Sequence, residues 1–463
     1  MRYLRFAILL SVTAYGSLNM EDPLNSWLYH SESFGPLLPG VLPSAHEIAV
    51  QPETSGIWLW HLMQNKAQCI VPEGGIIGFD WSLAAEALEY NEEFQTRAGG
   101  TFSIQATPLG WLFISERLSL WTGSDGEPPQ GYSPYHFGTE HGRHLYVDHG
   151  YAAAVTGPLT VSLGRIPLRW GPGRFAGLLI SGKAPAMDML KLDLELGRMV
   201  SFSGFTATID SDSSTWLSAH RLDIKPSENL RIGLSESILF SAGNIDLAYG
   251  NPLIPWYPVQ WNERVDDNAF MCLDCSWRPL KGILLYGEFL IDDIQYENVN
   301  DVPNKLGFTA GSDLFHTGTG LGGVLEYTAV QRYVYSQRKE VNYYLHDDRI
   351  IGCQLGPDAD RFTAELSWCG MENITAALRG SRTRQGEADV YEGWPDSVQA
   401  GGSFPSGVVE TTDRLSLDLG WYPYSKTGIF LRGYLSSTGN TAHMEGNDSY
   451  DEGISLEVVY GQM

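Results

Sequence analysis

Hydrophobic and polar residues alternate with a period of two along most of the chain. From Arg361 to Trp368, Phe362, Ala364, Leu366 and Trp368 share one face; Arg361, Thr363, Glu365 and Ser367 share the other. Arg414 to Trp421 repeats the pattern, with Leu415, Leu417, Leu419 and Trp421 against Arg414, Ser416, Asp418 and Gly420. Ile454 to Tyr460 does so again, with Ser455 and Glu457 on the polar face. Such alternation predicts strands with one apolar and one polar face. About 16 to 18 segments of this kind lie between residues 98 and 460, separated by turns rich in Gly, Pro, Asn and Asp. One position breaks the rule. Glu236 shares parity with Leu230, Ile232, Leu234 and Ile238, which calls for a bulge or a place above an apolar band.

Residues 20–96 read differently. Pro23, Pro36, Pro39, Pro43, Pro52 and Pro72 interrupt them. Thr54 or Ser55 can cap a short helix carrying Ile57, Leu59, Trp60, Leu62 and Met63. Asp80 can cap another, with Leu83, Ala84, Ala87 and Leu88 on one face. Ahead of this region, Arg2 and Arg5 precede an apolar run from Phe6 to Val12, followed by Ala14, Gly16 and Ser17. That is the pattern of a secretory signal peptide. The expected organisation is therefore a signal peptide over 1–17, a partly helical periplasmic or plug region over 18–97, and a strand-rich domain over 98–463. No apolar run of helix-spanning length follows the signal.

Composition narrows the function. Among 463 residues, 55 Asp and Glu stand against 30 Lys and Arg, a formal net charge of −25. That balance argues against a nucleic-acid partner, whose phosphates demand a basic surface. Hydrophobic residues at 43% argue against a disordered acidic chain. Cys272 and Cys275 form CLDC, but no second pair completes a zinc set; two residues three apart in a strand face opposite ways. No metal and no cofactor are expected.

Many alternating strands fit either a soluble sandwich or propeller, apolar face inward, or a membrane barrel, apolar face outward. Export, Trp170, Trp216, Trp277, Trp368 and Trp421 near strand ends, and a last strand reaching Tyr460 favour the barrel. No repeat of 40 to 50 residues supports a propeller. The expected fold is all-β: a transmembrane antiparallel β-barrel of about 18 strands with a small, partly helical N-terminal segment. Inward parity collects Arg221, Asp274, Arg361, Glu365, Arg414 and Asp418, among others. Mixed charges of this kind can pair into a lattice that fills the lumen, or line a wet channel.

Denser motifs lie between these strands. Arg169–Trp170–Gly171–Pro172–Gly173 follows Gly164–Arg165. His220–Arg221, Asn251–Pro252–Leu253, Asp267–Asn268, Tyr286–Gly287–Glu288 with Asp292–Asp293, and Leu355–Gly356–Pro357–Asp358 come after it in order. Over roughly residues 140 to 380 this order and spacing resembles the capsule assembly protein Wzi family of outer-membrane proteins. The resemblance implies an 18-stranded outer-membrane barrel, a periplasmic helical plug before it, and binding of capsular polysaccharide at the cell surface without catalysis. It implies surface polysaccharide and outer-membrane lipid as partners, with the capsule export machinery as a further candidate.

Residue by residue, Gly171 and Gly173 permit positive φ and Pro172 fixes a turn between them, suiting a loop folded inward or a tight turn. The stretch from Asn251 to Arg264 is the candidate binding segment. Trp256, Tyr257 and Trp261 offer faces for sugar rings; Asn262, Glu263 and Arg264 offer hydrogen bonds to hydroxyls. The competing reading is an interfacial belt or loop packing. Two other functions compete with polysaccharide binding. One is a pore or transport channel. The other is an outer-membrane hydrolase using His136, His141, His144 and His149 with Glu140 and Asp148, although no GxSxG elbow is present.

Overall fold

The computed structural model describes residues 68–70, 76–90, 93–123, 143–210, 212–243, 246–263, 267–294, 304–316, 318–371, 373–393, 402–424 and 426–461. The signal-peptide and first-helix readings lie outside these residues. The first strands are β1 (Gln68–Ile70), β2 (Ile76–Tyr90), β3 (Glu93–Leu109), β4 (Leu112–Gly123), β5 (Arg143–Thr156), β6 (Leu159–Ile166) and β7 (Met187–Leu196). Next come β8 (Val200–Asp210), β9 (Thr215–Ser227), β10 (Leu230–Ser241), β11 (Asn268–Leu280), β12 (Ile283–Asp293), β13 (Lys305–His316) and β14 (Leu321–Val330). A small hairpin, β15 (Leu345–His346) and β16 (Arg349–Ile350), precedes β17 (Ala359–Met371), β18 (Ile374–Gln385), β19 (Glu410–Tyr424), β20 (Thr427–Gly439) and β21 (Ser449–Gly461). One helix, α1 (Trp256–Glu263), lies between β10 and β11.

Each strand from β2 onward pairs antiparallel with the next in the ring, and β21 closes it by pairing with β2, Gly461 opposite Ser82. Leaving aside the short β1, which adds to β2 beyond that point, the wall is a closed barrel of eighteen strands. Closure removes every open edge.

The wall begins earlier than the sequence suggests. The helix expected from Asp80 to Leu88 is instead the middle of β2. Its Leu83 and Ala87 share an outward parity, and Ser82, on the other face, hydrogen-bonds Thr101 of β3 across 2.7 Å. The strand wins because β21 and β3 supply a ladder on both sides, which a helix here would leave unpaired. The barrel therefore takes residues expected to belong to the N-terminal region.

The outer face is apolar. Leu163, Leu190, Leu273, Leu325, Leu366, Leu417 and Leu456 all project exposed from it. Trp111, Trp277, Trp421 and Tyr460 form an exposed aromatic girdle at one end. That end carries the short turns, such as 157–158 and 281–282; the long connections that follow β6, β10, β14 and β18 leave from the other. Trp170 does not belong to the girdle. It is buried inside the barrel against Phe205, ring centroids 5.5 Å apart.

Candidate functional site

The Arg169–Gly173 motif opens a loop that runs into the lumen instead of over the rim. Gly171 adopts φ of 97°, a conformation that favours glycine. A Cβ there would stand 2.5 Å from a Glu288 carboxylate oxygen, and one at Gly173 would meet the Ala176 carbonyl. Absent side chains thus let the backbone press onto the wall. Gly173 and Leu178 both donate backbone N–H groups to the Glu288 carboxylate, at 2.7 and 2.8 Å. Arg174 and Phe175 donate theirs to Glu326, at 2.6 and 3.1 Å, and the Tyr286 hydroxyl adds a third bond to it at 2.9 Å. Arg169 donates to the Gly173 carbonyl and so closes the turn. The loop's tip reaches the neighbouring strand β17, where Arg361 donates to the Phe175 carbonyl at 3.1 Å. There the Arg379 guanidinium lies 4.9 Å over the Phe175 ring while Glu365 holds it at 2.7 Å.

A second loop, 331–358, crosses nearer the long-loop mouth. The Tyr335 backbone N–H donates to Asp292 at 2.8 Å, and Lys305 reaches the same carboxyl at 3.3 Å. The Tyr335 hydroxyl donates to the Leu178 carbonyl at 2.6 Å and accepts from the Cys353 N–H. Burial pushes that phenol well above its ordinary pKa, so it stays a donor. Burial likewise pushes the Cys353 thiol up to about 11. Glu288 and Asp292, four residues apart on one face of β12, thus fasten one loop each. The structure joins the Arg169–Gly173 motif to Glu288, while Asp292 holds the second loop.

The lumen charges divide. Arg221 lies buried with Asp223 at 2.8 Å and in a two-pronged contact with Asp274. Arg361 meets the Phe175 carbonyl as described, and Glu365 meets Arg379. Arg414 stacks on the Tyr434 ring at 3.7 Å, and Asp418 stands 3.9 Å from Arg432. Only part of the expected lattice is therefore a lattice of ion pairs, because Arg361 and Arg414 take a carbonyl and a ring as neighbours.

The segment from Asn251 to Glu263 sits on the outside of the wall. Glu236 does point outward, and α1 covers it. The Trp256 and Tyr257 backbone N–H groups donate to its carboxylate at 3.0 and 2.7 Å, with His220 at 3.2 Å. A carboxylate at a helix N-terminus satisfies N–H groups that would otherwise lack partners. Pro252 packs over Gly204, where a Cβ would approach it to 2.7 Å. Asn251 braces the turn through the Leu253 N–H and the Trp256 indole. Trp256 is fully buried among Ile238, Phe240 and Tyr249, with the His220 ring tilted against it at 4.3 Å. Its face is not open to a sugar ring, because the helix it belongs to is docked through it. Tyr257 is half-buried and Asn262 exposed. The Trp261 side chain and Arg264 lie outside the described residues.

A group missed in the sequence stands at the mouth. The Tyr343 hydroxyl donates to the Tyr391 carbonyl at 3.0 Å, and the two rings meet edge-on at 5.7 Å. Arg332 lies 4.9 Å over Tyr333 and pairs with Glu392 at 2.9 Å. The only sequence signal was tyrosine beside charge in two polar loops. Asn268 donates to the Asn342 carbonyl at 2.8 Å, joining this mouth to the start of β11 beside the α1 loop.

Of the histidine segment, only Asp148 and His149 have described side chains, and these two have different partners. His149 hydrogen-bonds Ser115 at 2.9 Å, whereas Asp148 contacts Ser119 and Arg117. His136, His141, Glu140 and the His144 side chain lie outside the described residues. Among the described residues no three His, Cys, Asp or Glu side chains gather. Cys272 is buried inward and Cys275 lies on the outward parity, as the strand spacing requires.

No curated protein matches the chain in sequence. Among solved structures it is similar to Wzi of Escherichia coli, described as an outer-membrane, carbohydrate-binding β-barrel involved in group 1 capsule assembly. That likeness has 14% identity and a TM-score of 0.62, covering 96% of this chain and 98% of that one. It is also similar to Pseudomonas aeruginosa OpdK, solved with vanillate, at 10% identity and a TM-score of 0.51, over 84% of this chain and 98% of that one. The family model for capsule assembly protein Wzi matches residues 81–448, and the chain belongs to that family.

Proposed function

We propose that this barrel sits in the outer membrane, long loops outward, and binds or organises capsular or exopolysaccharide at the cell surface without catalysing its chemistry. Family membership supports the reading, as does the apolar outer face with its aromatic girdle. The observation that carries it is the double crossing of the lumen by 167–186 and 331–358, each fastened to the wall by a buried carboxylate. A lumen crossed in this way presents a fixed surface at its mouth.

The polymer lies across the rim from the Tyr343–Tyr391 pair toward the α1 loop, with Tyr257, Trp261, Asn262 and Arg264 as further contacts. Trp256 serves by docking the helix. Bulk charge of −25 repels a polyanion, so stacking and local hydrogen bonding must supply the attraction. The export signal over 1–17 and a contact with capsule export machinery belong to the same proposal.

Replacing Tyr257 and Trp261 by alanine tests the outer part of this surface. Cells should shed polysaccharide while barrel levels stay normal; unchanged retention would take the segment out of the site. A pore remains the second reading, favoured by the half-exposed polar residues facing inward on β19 to β21. Steady single-channel conductance from the wild-type barrel would favour it.

A further inference from the structure

We infer that a depression on the outside of the wall, across β17 to β21 near the long-loop end, binds a glycolipid, its acyl chain on the floor and its saccharide at the rim. The inference rests on the membrane reading above. The register builds the depression. One outward row runs Ala364, Gly380, Leu415, Leu435, Glu452; the next row toward the long loops runs Phe362, Arg382, Asp413, Ser437, Tyr450. The first row lacks a large side chain at two adjacent places, Ala364 and Gly380. A Cβ built on Gly380 would meet nothing within 4 Å. One row further toward the short turns, Leu366, Leu378 and Leu417 fill the same strands. The depression over the two rows of the floor and rim has a volume of about 1040 Å³.

From Ala364 to Leu435 the floor is continuous with the apolar outer face, so hydrocarbon is the material that fits that part of it. The rim decides the headgroup. Arg382 forks Asp413 with two bonds, at 2.7 and 2.6 Å, so its charge is already matched. Glu452, in the floor row beside Leu435, adds a further carboxylate. A phosphate headgroup would meet a rim that is negative on balance. A sugar would find carboxylate acceptors, guanidinium donors, the Ser437 hydroxyl and the largely exposed Tyr450 ring.

The test uses native mass spectrometry of the full-length barrel taken from phosphatidylcholine vesicles doped with either monoglucosyl diacylglycerol or phosphatidylglycerol. Wild type should retain the glucosyl lipid about tenfold better than phosphatidylglycerol. Gly380→Leu fills the floor where there is room for it, and Asp413→Asn alters the rim; each should abolish the preference. Equal retention of the two lipids by wild type, or an undiminished preference in both variants, would overturn the site. Normal vesicle insertion in those cases would leave the membrane reading standing. Failure of wild type to insert at all would sink that reading and this one with it.

Discussion

Asp274 and Asp418 both face inward from strands of one barrel, yet they live in different surroundings. Along β9 to β14 the inward charges beneath the crossing loops are buried: Arg221, Asp274, Glu288, Asp313 and Glu326 are each no more than 4% exposed. The loops 167–186 and 331–358 lie over them, with Leu178, Ile180, Tyr335, Tyr344 and Ile351 forming the apolar side of the contact. Along β19 to β21 the inward residues are half-exposed; Arg432 spans Asp418 and Glu457 with 44% of its side chain in the open. Inward parity is the same in both halves. What differs is whether a loop has removed the water. Breaking a buried pair strands a charge, whereas a wet pair dissolves into solvent at little cost.

Substitutions can break or sharpen this contrast. The largest effect is expected for Arg221→Ala, which leaves Asp274 buried without its cation, while Asp223 keeps Arg231 at 2.9 Å. It should cost about 3 to 5 kcal/mol in a thermal or denaturant melt. Glu288→Ala removes the acceptor of two buried N–H groups and should cost about 2 to 4 kcal/mol. Its sharper signature is new protease cleavage between Gly171 and Leu178 with the wall intact. Arg361→Ala frees only the loop tip and should cost about 1 to 2 kcal/mol. The smallest effect belongs to the wet half, where Arg432→Ala should stay within about 1 kcal/mol. Equal losses for Arg221→Ala and Arg432→Ala would erase the distinction.

Much of the wall was legible because the period of two survives wherever one face meets lipid or packing and the other meets polar groups, as from Arg361 to Trp368. Asp80 to Leu88 was misread because Leu83, Ala84, Ala87 and Leu88 also fit a helical spacing. The partner that decides the matter, β21, comes from the far end of the chain. Glu236 was visible as an anomaly. Its resolution was not, since α1 contains Pro258 and shows no apolar stripe, and the helix matters only through what it covers. The glycine pair around Pro172 announced a turn, but Gly173 meets Glu288 across 115 residues of sequence, a distance over which no local pattern speaks. Trp256 looked like a binding residue for the same reason it is a docking residue: a large aromatic body with one polar tip serves either role until burial is known.

The central claim is that the fixed mouth binds polysaccharide. Equilibrium binding of purified surface polysaccharide to the barrel in proteoliposomes tests it most directly, comparing wild type with the Tyr343→Ala, Tyr391→Ala double variant and with Arg432→Ala. Two lost stacking rings at about 0.5 to 1 kcal/mol each should weaken binding roughly tenfold. Arg432→Ala should bind as wild type does. Failure of the wild-type barrel to bind, or equal affinity in the double variant, would contradict the account.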